Sequence, residues 1–105
     1  MRPIYIYIDD IRDKPQVNYI SITCRDYISA IDLIDYFISR GCCLMLDFDH
    51  DLGEGKTGYD IAKYIVENQI PTNLIRYHVH SSNPVGAMNI RQLMDHYGYK
   101  RFLMD

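Results

Sequence analysis

Residues 46–53 read LDFDHDLG, and the rest of the fold has to be built around this stretch. Three aspartates and a histidine lie between Asp47 and Asp51, directly after the apolar run of residues 42–46. A buried strand rarely carries ionised groups, because removing them from water is costly unless they are paired. We therefore expect the apolar run to be a buried strand, with the polar side chains gathered where it ends.

Strand and helix patterns alternate along the chain on both sides of this stretch. Runs rich in β-branched and aromatic residues predict strands over residues 4–8, 19–24, 44–48, 74–79 and 101–104. Capping-box patterns from Thr23 to Asp26 and from Thr57 to Asp60 predict two helix starts, and Pro84 suits the first turn of a third helix. The three helices are bounded at their ends by Gly41, Pro71 and Gly98.

This alternation predicts an α/β fold, in one domain over residues 1–105, with a mostly parallel sheet between helical layers in a three-layer sandwich. The first connection is unusual, because only eight residues separate Asp10 from Tyr19. A parallel crossover that contains a helix takes at least about a dozen residues. Either the first crossover helix is missing or the second strand is not parallel.

Composition and charge exclude several classes of protein. The 105 residues are 48% hydrophobic and carry a net charge of −3, with the basic residues scattered, which argues against duplex DNA as a partner. No apolar stretch approaches the roughly 18 residues of a membrane span, and charged residues near the N-terminus interrupt any signal peptide. We interpret the chain as cytoplasmic, and the sequence predicts no oligomeric state.

Acidic residues follow two of the predicted strands. Asp9 and Asp10 come after the first strand, and Asp49 and Asp51 come after the strand of residues 44–48. The carboxyl ends of parallel strands share one edge of the sheet, where ligands bind, so these carboxylates should converge. Converging carboxylates need a hard cation, which predicts a divalent metal, Mg²⁺ or Mn²⁺. A solvated acidic rim without metal stays open as the alternative.

Histidines lie beside these acids. Histidine is the side chain whose ordinary charge change falls near neutral pH, so one of His50 and His80 could protonate a leaving oxygen while the other activates water, with Asp49 as the third catalytic candidate. Both histidines could instead orient carboxylates. Asp47 has two interpretations of equal weight, a catalytic group or a structural carboxylate paired with a backbone donor or with Arg76.

The segment after the strand of residues 74–79 suits a phosphate. Backbone N–H groups and the positive end of a helix dipole meet there, and basic side chains could add charge. A plain helix cap by Ser82 or Asn83 is the other interpretation, and the two are compatible. The candidate substrate-binding residues are Arg12, Ser81, Ser82, Asn83 and Arg91.

These motifs together resemble the receiver domain of two-component signalling. In that family a double aspartate holds Mg²⁺, an aspartate after the middle strand accepts a phosphoryl group and a hydroxyl residue contacts the phosphate. The resemblance assigns these roles to Asp9 and Asp10, to Asp49 and to Ser81. The sequence departs from the family by lacking the first crossover helix and the lysine after a fifth strand.

The chain resembles the cyclic-phosphate processing receiver-like family more closely. The matching strings are DDIR at residues 9–12, FDHDLG at 48–53, TGYD at 57–60 and HSSNPVGAMNIR at 80–91. The resemblance implies a small flavodoxin- or receiver-like fold and metal-assisted processing of cyclic phosphates in nucleotide or RNA-end metabolism, often in phages and bacteria. For a phage protein the expected location is the host cytoplasm.

The resulting functional prediction is a metal-assisted phosphoesterase that acts on the cyclic phosphate of a small nucleotide or RNA end, with ADP-ribose cyclic phosphate among the candidate substrates. The alternative is a module without turnover, which binds a phosphorylated ligand or is phosphorylated on Asp49. The string DFDHDL also resembles the nucleophile motif of haloacid-dehalogenase phosphatases, but the chain lacks that family's length and downstream lysine.

Overall fold

The computed structural model describes residues 2–53 and 55–103 of the chain. The described residues form one five-stranded sheet in which every pair of neighbours is parallel, with the strand order β2-β1-β3-β4-β5. This is the order of flavodoxin-like folds, so the predicted receiver-like α/β fold is confirmed. The strands are β1 (Ile4–Ile8), β2 (Ser21–Cys24), β3 (Leu44–Phe48), β4 (Ile75–Val79) and β5 (Lys100–Arg101).

Three α-helices connect the strands after β2. They are α1 (Tyr27–Ile38), α2 (Gly58–Glu67) and α3 (Pro84–His96), and a short 3₁₀ turn, Thr72–Leu74, precedes β4. None of the described helices is long and apolar enough to cross a membrane.

The predicted helix starts are right in two cases of three. The capping box of Thr57 and Asp60 is present at α2, and Pro84 occupies the first turn of α3. The prediction that Thr23 opens α1 is wrong, because Thr23 lies within β2. The cap is Asp26 itself, whose carboxylate accepts a hydrogen bond from the N–H of Ser29 at 2.8 Å.

The three helices pack on the same face of the sheet. The crossovers from β2 to β3, from β3 to β4 and from β4 to β5 step in the same direction across the sheet, so right-handed connections place their helices on one side, and α1 contacts α2, which contacts α3. The described residues form no helical layer on the other side, because the crossover helix from β1 to β2 is missing. The core between helices and sheet is mainly aliphatic, with members such as Ile6, Leu46 and Ile61. The opposite face carries Tyr5 and Tyr7 of β1, which alternate with the core residues and are also buried.

The connection between β1 and β2 contains no helix among the described residues. β2 pairs in parallel with β1, so the crossover helix is missing and the strand is nevertheless parallel. Residues 9–20 form an irregular, mostly exposed segment that covers this distance. Arg25, directly after β2, donates from Nη1 to the carbonyl oxygens of Asp9 at 3.2 Å and Arg12 at 2.5 Å. The side chain of Arg25 therefore holds in place the first residues of the connection between β1 and β2.

The last strand is shorter than predicted. β5 covers only Lys100–Arg101 at the edge of the sheet, where it pairs with β4. Of the residues predicted to continue it, Phe102 and Leu103 are not in a strand. Met104 lies outside the described residues.

Candidate functional site

The candidate site lies where the three central strands end. Asp9 directly follows β1, Asp49 follows β3 and His80 follows β4. The N–H of Asp49 donates to the Ile8 carbonyl and the N–H of His80 donates to the Phe48 carbonyl, each at 2.8 Å. These bonds extend the sheet ladder one residue beyond the strands. The three side chains therefore start from adjacent, fixed backbone positions beside the point where strand order reverses.

Asp9 is fully buried, and its carboxylate is held by the chain that follows it. Oδ1 accepts hydrogen bonds from the N–H groups of Ile11 at 3.0 Å and Arg12 at 2.8 Å. Burial favours the neutral acid, but these N–H donors and the ring of His80 outweigh it and hold the pKa of Asp9 below its ordinary value. Asp9 is therefore an ionised carboxylate at neutral pH.

His80 lies between two carboxylates. Its Nδ1 is 2.6 Å from Oδ1 of Asp47, and its Nε2 is 2.9 Å from Oδ2 of Asp9. The ring of Tyr7 stacks on the imidazole, with centroids 4.5 Å apart and an interplanar angle of 6°. Burial opposes a charged imidazole, but the hydrogen bonds and charges of the two aspartates prevail and raise the pKa of His80.

Asp47 points inward and is almost completely buried. Its Oδ1 contacts His80, and its Oδ2 accepts a hydrogen bond from the hydroxyl of Tyr5. The expected partners, a backbone donor or Arg76, are wrong. The even spacing of residues 5, 7 and 9 along β1 is the sequence signal for Tyr5 and Tyr7, because it places both rings on the face that carries Asp9.

Three side chains come close enough to hold one metal ion. One carboxylate oxygen each from Asp9 and Asp49 and one ring nitrogen of His80 all lie within 4.8 Å of one another. Two of these residues, Asp9 and Asp49, were predicted as ligands, and His80 was predicted as a catalytic residue. Two carboxylates and an imidazole form a donor set that suits a divalent cation.

The other two predicted ligands lie outside this group. The carboxylate of Asp51 is 3.0 Å from Nδ1 of His50, and the N–H of Asp51 donates to Oδ1 of Asp49 at 3.3 Å. The carboxylate of Asp10 faces the loop after β3, where a Cβ added to Gly53 would lie 3.6 Å from Oδ2. Asp10 and Asp51 therefore stand beside the three-residue group and remain predicted ligands.

His50 belongs to a second cluster. Besides its contact with Asp51, its Nδ1 lies 3.5 Å from Nδ2 of Asn83, and its ring packs against the backbone of Gly86 in α3. Among the described residues, no hydrogen bond joins His50 to the three-residue group. The two predicted catalytic histidines thus have different surroundings, since His80 has both ring nitrogens engaged and His50 has only Nδ1 engaged.

The predicted substrate-binding residues surround the start of α3. Asn83 caps the helix by accepting a hydrogen bond from the N–H of Gly86 at 3.0 Å, and Oγ of Ser81 accepts from the N–H of Asn83 at 3.1 Å. The cap interpretation therefore holds for Asn83, whereas Ser82 is exposed. Nη2 of Arg91 reaches back to the Val79 carbonyl at 3.4 Å.

Two basic side chains near the site are oriented by other contacts. The Arg12 side chain is exposed, while its backbone binds Asp9 and Arg25. Nζ of Lys56 lies 5.4 Å from the centre of the Tyr27 ring, at the edge of the loop between β3 and α2. Arg25 was not predicted, because nothing in its own neighbourhood of the sequence connects it with residue 9.

Gly58 lets α2 approach the site closely. Its N–H donates to the His50 carbonyl at 2.8 Å, and a Cβ at this position would lie 2.0 Å from the backbone oxygen of Asp49. Any side chain here would push α2 away from the residue that carries the candidate metal ligand. Close packing against the Asp49 backbone therefore explains why the string TGYD contains a glycine.

Comparison with known proteins agrees with this geometry. The sequence model of the cyclic-phosphate processing receiver domain family matches residues 4–96, which include all three members of the candidate metal group. No match was found among curated proteins or among solved structures. The chain belongs to the cyclic-phosphate processing receiver domain family.

Proposed function

We propose that this protein is a metal-assisted phosphoesterase that opens the cyclic phosphate of a small nucleotide or of an RNA end. The observation that carries the proposal is the convergence of Asp9, Asp49 and His80 at the carboxyl ends of three adjacent strands. Membership of the cyclic-phosphate processing receiver domain family supports a cyclic phosphate as the substrate class.

The residues at this edge fit a divalent cation. Asp9 and Asp49 would supply oxygen ligands and His80 a nitrogen ligand, with Asp10 and Asp51 close by to hold coordinated water. Mg²⁺ and Mn²⁺ are the two candidates, and the imidazole in the donor set favours Mn²⁺. A bound ion of this kind polarises a phosphoryl oxygen and lowers the pKa of water.

The reaction also requires two proton transfers. Water oxygen bonds to phosphorus, the bond from phosphorus to one ring oxygen breaks, and the product is a phosphomonoester with a free hydroxyl group. The proton that water loses must be accepted, and the leaving oxygen must gain one. We assign one of these transfers to His50, whose Nδ1 contacts Asp51 and whose Nε2 has no hydrogen bond among the described residues. The same contact with a carboxylate orients general-base histidines elsewhere.

The phosphate would lie against the start of α3. This helix has 13 residues, and its positive dipole end lies at the edge where β4 ends. Pro84 has no N–H and Asn83 binds that of Gly86, so in the first turn the N–H of Val85 is the donor left for a phosphate. Ser81, Ser82 and Asn83 lie just before this helix or cap it, and Arg12 and Arg91 are the basic side chains that we expect to bind the phosphate. We expect the protein to meet these small substrates in the cytoplasm. We expect neither duplex DNA nor a membrane to be a partner.

The test is turnover by the purified protein. We expect phosphorus NMR to show ring opening of one of three substrates with Mn²⁺ or Mg²⁺: a 2′,3′-cyclic nucleotide, a 3′,5′-cyclic nucleotide or ADP-ribose cyclic phosphate. Asp49→Asn should abolish turnover with the fold retained, whereas Asp32→Asn, at an exposed acid in the middle of α1, should not change the rate. Full activity of Asp49→Asn would remove the site assignment.

A second candidate is a module without turnover. Asp49 matches the position of the receiver phosphoacceptor, and among the described residues its carboxylate accepts a hydrogen bond only from the N–H of Asp51. Incubation with acetyl phosphate and Mg²⁺, followed by intact mass measurement, would detect phosphorylation of this aspartate. Tight binding of a cyclic phosphate without any product would favour the binding module over the enzyme.

A further inference from the structure

Gly86 has no backbone reason to be glycine. It lies in the first turn of α3, where its φ is not positive, and glycine at a helical position is less favourable than alanine. The reason is spatial. A Cβ at this position would lie 2.4 Å from Cγ, 2.5 Å from Cδ2 and 2.7 Å from Nδ1 of His50. The ring of His50 therefore occupies the volume that any side chain at residue 86 would need.

The same turn of helix contacts this ring a second time. Asn83 accepts the N–H of Gly86 through Oδ1, and its Nδ2 lies 3.5 Å from Nδ1 of His50. Oδ1 of Asp51, in the loop after β3, lies 3.0 Å from the same ring nitrogen. The imidazole is thus confined between the loop after β3 and the first turn of α3, and its side chain is mostly buried.

We propose that Gly86 is a positioning residue for the reaction, because it gives the His50 ring a flat backbone surface to lie on and so fixes the direction of Nε2. This inference rests on the proposed phosphoesterase function, in which His50 transfers a proton. It differs from the helix-cap interpretation of this segment, since a cap needs Asn83 but is indifferent to a methyl group at residue 86.

A double-mutant cycle measured by urea unfolding tests the contact without any substrate. Gly86→Ala in the wild-type protein should lower the unfolding midpoint or leave it unchanged, because the ring must move. In the His50→Ala background the same change should raise the midpoint, because alanine favours the helix and the ring is gone. Asn89→Ala, at an exposed position of α3, should shift the midpoint equally in both backgrounds.

Equal effects of Gly86→Ala in the two backgrounds would overturn the proposal. If Gly86→Ala does not fold alone, folding of the double variant gives the same support as a raised midpoint, and failure of both would overturn the proposal. This measurement is independent of catalysis, so its failure cannot be confused with failure of the proposed function.

The kinetic readout separates positioning from packing. Once a cyclic phosphate that turns over is identified, Gly86→Ala should lower kcat by tenfold or more and change KM less than twofold. The imidazole NMR signals of His50 should move while those of His80 and of the exposed His96 stay in place. Unchanged kcat in a folded Gly86→Ala protein would overturn the positioning role, even if the two residues are coupled in stability.

Discussion

The carboxylate of Asp47 and the imidazole of His80 are joined at 2.6 Å, and this bond links the interior of β3 to the end of β4. Asp47 in turn accepts a hydrogen bond from the hydroxyl of Tyr5, so a buried chain of side chains fixes the position of His80. A histidine that binds a metal commonly donates its other ring nitrogen to a carboxylate in this way. The contact therefore supports His80 as a ligand rather than as the group that transfers a proton.

Asp47→Asn should weaken metal binding. The substitution keeps the size of the side chain but removes the charge that orients His80, and loss of such a partner costs about 10- to 100-fold in affinity. Calorimetric titration with Mn²⁺ measures this directly. Tyr5→Phe is the matched control, because it keeps the Asp47 charge and should cost about 1–3 kcal/mol of stability by leaving a buried oxygen unpaired. A larger loss of affinity in Tyr5→Phe than in Asp47→Asn would contradict this interpretation.

Alanine substitution of either histidine should lower the rate, but only one of the two substitutions should weaken metal binding. His80→Ala should lower both the rate and the affinity for Mn²⁺, because it removes one of the three donors in the group. His50→Ala should lower the rate by at least about 100-fold, as expected for loss of proton transfer, with metal affinity unchanged. If metal binding survives in His80→Ala, the ligand role passes to Asp10 or Asp51.

Gly58→Ala should destabilise the protein and disturb the metal group. Its Cβ would lie 2.0 Å from the Asp49 backbone oxygen, which forces a movement of α2 or of the strand end. Overpacking of this kind costs about 1–3 kcal/mol. Lys63→Ala, at an exposed position of the same helix, should stay within about 0.5 kcal/mol of the wild type. Urea unfolding of the three proteins makes the comparison.

Asp95 gives a prediction about acid stability away from the site. A hydrogen bond from Arg101 outweighs partial burial and, with another from Tyr77, holds the pKa of Asp95 below its ordinary value. Its stabilising contribution is therefore present above pH about 3.9, the unfolded value, and is lost as the pH falls through the lower folded pKa. The difference in urea midpoint between wild type and Asp95→Asn should shrink as the pH drops from 5 to 2. A constant difference would show that Asp95 acts without its charge.

The sheet was predictable because its strands follow simple patterns. Alternating apolar residues in β1 and the apolar run before Asp47 mark central strands, and acids directly after them mark the carboxyl edge. The direction of β2 could not be predicted, because the usual minimum length of a parallel crossover assumes a helix. A connection without a helix can cover the same distance with fewer residues, because each residue of non-helical chain reaches farther, so the short connection was compatible with either direction.

The sequence predicted which residues form the site better than it predicted which of their side chains contact each other. Asp9, Asp49 and His80 end three adjacent strands, and strand order alone brings them together. Which of the two histidines joins the acids depends on side-chain packing, such as the stacking of Tyr7 on His80. The cap of α1 was missed because Thr23 and Asp26 both match a cap, and only pairing of Thr23 with β1 excludes it.

Arg25 connects the acidic loop to an edge strand of the sheet. β2 is an edge strand with a single neighbour, and the guanidinium that binds the carbonyls of Asp9 and Arg12 follows it directly. Edge strands are among the first segments to open in native-state fluctuations. Local opening of β2 would therefore free the N–H groups of Ile11 and Arg12 that bind the Asp9 carboxylate. We expect these two amides to exchange hydrogen at rates similar to those of the amides in β2.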